Sequence, residues 1–128
     1  MTVTLINPDG LPAIDVYHQV AVATGTKTIY VAGQVAWDAE PDLARQTEQA
    51  YVNVHTALKG AGASLKDLVK VTVYVVDWTP DKMPELLKGI ENAMAGLGET
   101  AKPPATLIGV ATLDVPEHLV EIEATAVI

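Results

Sequence analysis

A chain of 128 residues, 49% apolar and 19% charged, is long enough to bury a core and too apolar to stay disordered. Sixteen carboxylates against eight lysines and arginines leave a formal charge of −8, which repels phosphate backbones and anionic lipid and argues against nucleic-acid and membrane partners. Cysteine is absent, so disulfides, thiolate nucleophiles and thiolate metal sites are excluded.

Met1 to Asn7 reads as a short strand, ended by the turn signal Pro8-Asp9-Gly10. This N-terminus has no basic region followed by a long apolar run, and no stretch reaches transmembrane length, so a cytoplasmic protein is expected. Val16 to Ala23 and Thr28 to Gln34 are β-rich runs, and Thr24-Gly25-Thr26-Lys27 between them predicts a hairpin. Trp37 to Pro41 is an acidic loop, and Asp42 is placed to cap a helix. Leu43, Thr47, Ala50, Tyr51, Val54 and Leu58 recur at helical spacing, and Gly60 and Gly62 stop the run.

Leu68 to Val76 predicts a half-buried strand with Val69, Val71, Val73 and Val75 on one face. Trp78-Thr79-Pro80-Asp81 opens a second helix to about Leu97, with Leu86, Leu87, Ile90, Ala93 and Met94 as its apolar side. Thr106 to Thr112 and Leu119 to Ile128 are the last strands. The order β, β-hairpin, α, β, α, β, β predicts one two-layer α+β domain over residues 1–128, with a mixed sheet of about six strands and two helices on one face. The bare sheet face invites oligomerisation.

Five segments, in order, carry a family resemblance. They are Tyr30-Val31-Ala32-Gly33-Gln34, then Gln46 to Ala50 with Asn53, then Ala61-Gly62-Ala63, then Asp67 to Val73, and last Val120-Glu121-Ile122-Glu123-Ala124. From about Asp15 to Ile128 the chain resembles the Rid (YjgF-like) superfamily. The resemblance implies a chorismate-mutase-like fold and a homotrimer with small-molecule clefts between subunits. It also implies hydrolysis of enamines or imines to ketoacids and ammonia, with no cofactor and no metal. Some relatives carry an older endoribonuclease label.

In deaminating members an arginine after a proline grips the substrate carboxylate, a task suited to a planar bidentate cation. Anchored on Gly109-Val110, that position falls on Ala105, or on Thr106 with a slip of one; neither holds a carboxylate by charge. Arg45, the chain's single arginine, lies in the first helix. Ala32 stands for the family's serine, and Leu87 for an asparagine. Tyr17, Gly33 and Glu121 match residues of the family cleft, with Glu121 as the acid that positions or activates water.

Each of these has a plainer reading. Tyr17 can be a half-buried strand aromatic, and Glu121 with Glu123 a solvated strand face, since residues two apart share a side. Trp37 and Trp78 can wall a pocket or simply pack. Lys70, set mid-strand, can hold a carboxylate or form an interface salt bridge. His18, His55 and His118 lack ligand spacing, and Asp38, Glu40 and Asp42 lack the glycine and distal glutamate of a calcium loop, so no metal is expected. Gly96-Leu97-Gly98 follows a helix and reads as a stop.

A cleft holding Glu121 without arginine predicts a neutral or cationic ligand. Three functions follow: hydrolysis of an imine unlike the 2-imino acids, non-catalytic metabolite binding or protein contact as a trimer, and RNA cleavage, which the acidic balance opposes.

Overall fold

The computed structural model describes residues 2–38 and 40–128. Met1, read as the start of the first strand, and Ala39, inside the acidic loop, lie outside the described residues. The elements in order are β1 (Val3–Ile6), β2 (Val20–Ala23), β3 (Thr28–Gln34), α1 (Leu43–Gly60), β4 (Leu68–Val76), α2 (Met83–Leu97), β5 (Ala105–Val110) and β6 (Val120–Val127). Among the described residues, two helices and six strands with mixed pairing give the expected α+β architecture.

Alternation sets the layers. In β6, Val120, Ile122, Ala124 and Ala126 are buried, while Glu121, Glu123, Thr125 and Val127 are half-buried on the opposite face. β4 buries Val71, Val73 and Val75 in the same layer. A register shift between Leu68 and Lys70 changes the start of that strand, so Leu68 is buried in place of the expected Val69. α1 presents Leu43, Ala50, Tyr51, Val54 and Leu58 to this core. Asp42 caps α1 as expected, its Oδ1 accepting from the Arg45 backbone N–H at 3.1 Å. Gly62, at φ +83°, follows its end.

The six strands divide into two hydrogen-bonded groups. β3, β6, β4 and β5 form a four-stranded sheet in that order, with β4 and β5 parallel. β1 and β2 form a separate antiparallel ribbon. The hairpin expected across Thr24 to Lys27 is therefore corrected: β2 pairs with β1, not β3. The cause lies at the C-terminus. The backbone N–H groups of Thr26 and Lys27 both donate to the Ile128 carbonyl, at 3.0 and 2.9 Å, and Ile128 N–H donates back to Lys27. Gly25 is needed because the chain crosses that terminus: a Cβ there would sit 2.6 Å from the Ile128 oxygen.

The second strand is also shorter than expected. Residues 16–19 leave the strand because their bonds go elsewhere. His18 N–H donates to the Lys102 carbonyl, and Gln19 N–H to Asn7 Oδ1. Trp78 does not begin α2; a single 3-10 turn, Pro80–Lys82, precedes it. β5 starts one residue early, at Ala105, and ends at Val110.

Candidate functional site

Proline fixes where β5 begins. Pro103 is buried, and the Pro104 carbonyl accepts from Val71 N–H at 2.9 Å, which aligns Ala105 beside Val71. Ala105 and Leu107 share the helix-facing side with Val71 and Val73, while Thr106 points the other way. The small Ala105 side chain leaves room between β5, α2 and the turn carrying Tyr17. The result is a cavity of about 470 Å³ whose apolar wall includes Leu86, Leu87, Ile90 and Met94. Its charged lining residues are Asp15, Glu91 and Lys102. Tyr17, Ala105 and Thr106, three of the residues singled out from sequence, meet here.

Gly33 and Glu121 meet elsewhere. A Cβ on Gly33 would collide with the Glu121 carboxylate, so the missing side chain is what gives that carboxylate its place. Glu121 pairs with Tyr74 across β6 and β4, on the sheet face away from the helices. Tyr74 Oη donates to Glu123 Oε1 at 2.5 Å. That bond, then burial and the charges of Glu123 and Glu121, push the Tyr74 phenol up. Thus Glu123 is engaged, and among the described residues no side-chain hydrogen bond holds Glu121.

β4 separates the two groups. Ala105 lies two strand spacings from β6, about 10 Å, and faces the opposite side from Glu121. Thr106 bridges them: it lines the cavity, and its Oγ1 accepts from Lys70 Nζ at 2.6 Å. Lys70, read as a carboxylate holder or an interface salt bridge, is thus bonded to a hydroxyl of its own chain.

Tyr74 was missed by the sequence reading, although its signal was present. Lys70, Thr72 and Tyr74 are the polar alternates of a valine-rich strand. Lys102 was missed too, and nothing in its local sequence marks it. Trp78 packs on the core, whereas Trp37 is 72% exposed with its ring edge-on to His118. Leu87 lies in the cavity wall. Ala32 directs its carbonyl to Gln34 Nε2.

The histidines stand apart. His118 is buried and bonded to Asp114 at 2.6 Å, and His55 pairs with Glu99 at 2.5 Å. Among the described residues no three His, Asp or Glu side chains are grouped as metal ligands would be. Glu40 lies 3.8 Å from Arg45, and Asp42 is used as a cap. No helix among the described residues is long and apolar enough to cross a membrane.

A family model described as endoribonuclease L-PSP matches residues 8–128, nearly the whole chain. This chain belongs to that family, the Rid (YjgF-like) family. A RutC family protein of Pyrococcus abyssi is 36% identical over 104 residues, covering 77% of this chain and 76% of its own length. Among solved Rid structures, the Yersinia pestis protein YyfB covers all of both chains at 31% identity with a TM-score of 0.87. Escherichia coli TdcF with bound serine covers 98% of both chains at 25% identity with a TM-score of 0.68.

Proposed function

We propose that this Rid protein binds a neutral, largely apolar imine or enamine in the cavity at the β5 edge and hydrolyses it. The carrying observation is that cavity: Leu86, Leu87, Ile90 and Met94 form the wall around Ala105, the residue matched from sequence to the family's carboxylate-gripping arginine. An apolar wall favours a ligand without an anionic head. Tyr17 shapes the cleft, and backbone groups at Gly33 with Thr106 hold the reacting end. The site becomes whole in a homotrimer, where the Glu121 and Gly33 of one copy face the cavity of the next. Residues 1–128 act as one domain, and the protein works in the cytoplasm without a cofactor or metal.

The chemistry asks little of the chain. Glu121 accepts a proton as water adds to the imine carbon, and the C=N pair moves to nitrogen. Glu121 returns that proton to the nitrogen, giving the carbinolamine. It then takes the hydroxyl proton as the carbonyl forms and the C–N bond breaks, and passes it to the nitrogen, which leaves as ammonia or an amine. The serine in TdcF carries a carboxylate; the ligand of this chain does not.

A paired assay tests this. Benzaldimine is generated from benzylamine with an amine oxidase, and 2-iminopropionate from alanine with an amino-acid oxidase. The protein is expected to accelerate release from benzaldimine and leave 2-iminopropionate unchanged; the reverse order refutes the reading. The separation of Glu121 from the cavity within one chain favours a second reading, non-catalytic binding. Benzaldehyde or benzylamine protecting the protein against heat, with neither imine accelerated, selects it. Intact RNA after incubation removes the endoribonuclease label.

A further inference from the structure

A second cavity, of about 540 Å³, lies where the β1–β2 ribbon meets the turn before β4 and the segment after α2. Its basic lining residues are His18, Lys66 and Lys102, and its lining contains no Asp or Glu. In a chain of formal charge −8, such a concentration of positive charge runs against the overall balance. We propose that this cavity is a binding site for a small organic anion with an apolar body, such as an aliphatic carboxylate.

Three observations carry it. First, the neighbouring carboxylates are occupied. Glu99 accepts from His55 through Oε2 and from the Leu65 N–H through Oε1, and Asp67 Oδ2 accepts from Ser64 N–H at 2.9 Å. These bonds hold both carboxylates on their own donors, and the lining itself keeps three basic residues and no acid, which favours an anion over a cation. Second, most of the remaining wall is apolar: Val3, Leu5, Leu65 and Leu68 stand beside Thr4 and Thr100, with Val3, Leu65 and Leu68 buried. An inorganic anion would leave that surface unmatched, whereas an alkyl carboxylate uses both halves. Third, the walls are tied together. The Lys102 carbonyl accepts from His18 N–H at 3.0 Å and from His18 Nδ1 at 2.8 Å. A carbonyl only accepts, so Nδ1 carries a proton. This clasp holds the segment after α2 against the chain leading into β2, so the cavity is formed before any ligand arrives.

The site is separate from the β5-edge cavity, although Lys102 lines both. Lys66 lines only the ribbon cavity of the two. That makes it the discriminating residue.

The test uses the full chain with ¹³C-labelled Val and Leu methyl groups, titrated with sodium hexanoate. Saturable shifts are expected at Val3, Leu5, Leu65 and Leu68. Hexanamide, the neutral isostere, and inorganic phosphate, which has no apolar body, should each bind about tenfold more weakly, as should Lys66→Gln toward hexanoate. Lys70→Gln, on the sheet's far face, should bind as the wild type does. The proposal is overturned if hexanoate shifts only Leu86 and Leu87, if hexanamide binds equally well, or if Lys66→Gln leaves the affinity unchanged. Should Lys66→Gln fail to fold, Lys66→Met supplies the same reading.

Discussion

Gly33 and Glu121 compete for one small volume. In Gly33→Ala the new methyl meets the end of a flexible glutamate, which swings away at little cost to folding. Stability should therefore change by less than about 1 kcal/mol, while benzaldimine hydrolysis falls about 100-fold, the usual worth of a positioned base. A melting curve and a rate measured on one sample check both halves. Tyr51 gives a spectroscopic marker of the core. Burial first, and then the charge of Glu99, push its phenol up to about 12. Its contribution to folding is complete below the ordinary tyrosine value and is lost as pH rises through about 12. Alkaline titration of tyrosine absorbance should show a step at about 12 that Tyr51→Phe removes, while the raised Tyr74 phenol still titrates. Asp114 behaves oppositely. Its hydrogen bond to His118 holds its carboxyl below the usual range. The stability it adds is full above that range and lost as pH falls through the lowered value. Asp114→Asn should flatten this part of the acid-unfolding profile, followed by denaturant titration at stepped pH. At this scale alternation made the facing of Glu121 legible. The position of Tyr17 was not, because 16–19 bond to Asn7 and Lys102, partners that no local pattern announces.

Between elements, single residues fix geometry. Gln46 is 1% exposed and ties α1 to two loops. Its Nε2 donates to the carbonyls of Glu40 and Glu117, and its Oε1 accepts from Leu119 N–H. Gln46→Leu strands these backbone groups and should cost more than about 2 kcal/mol in chemical denaturation. Gly89 lets α2 approach α1: a Cβ there would lie 2.5 Å from the Ala44 carbonyl and 2.6 Å from Thr47 Cβ. Neither neighbour can swing aside, so Gly89→Ala should lower the melting temperature although alanine favours a helix by about 1 kcal/mol. Both helices and the strands β4 and β6 were legible, since each carries its own periodicity. The pairing of β2 was not. Thr24-Gly25-Thr26-Lys27 has the composition of a hairpin turn, but its glycine serves the crossing over Ile128, a residue about one hundred positions away.

For the whole molecule, the sheet face away from the helices is bare in the single chain. It carries Tyr30, 81% exposed, and Ile108, 40% exposed, beside Lys70, Tyr74 and Glu121. Exposed apolar groups on such a face mark a contact surface. Light scattering should give the mass of three chains, and a monomer mass would remove the shared cleft. The cavity itself was illegible in sequence because β5, α2 and the Tyr17 turn come from distant stretches; Tyr17, Ala105, Thr106 and the apolar side of α2 were visible, but not that they meet. The central claim is that the missing element is a carboxylate grip at that residue. Its most direct test is the rate of 2-iminopropionate hydrolysis by wild type and Ala105→Arg. The account predicts no acceleration by the wild type and a measurable gain in Ala105→Arg. Robust wild-type hydrolysis, abolished by Glu121→Ala, would contradict it.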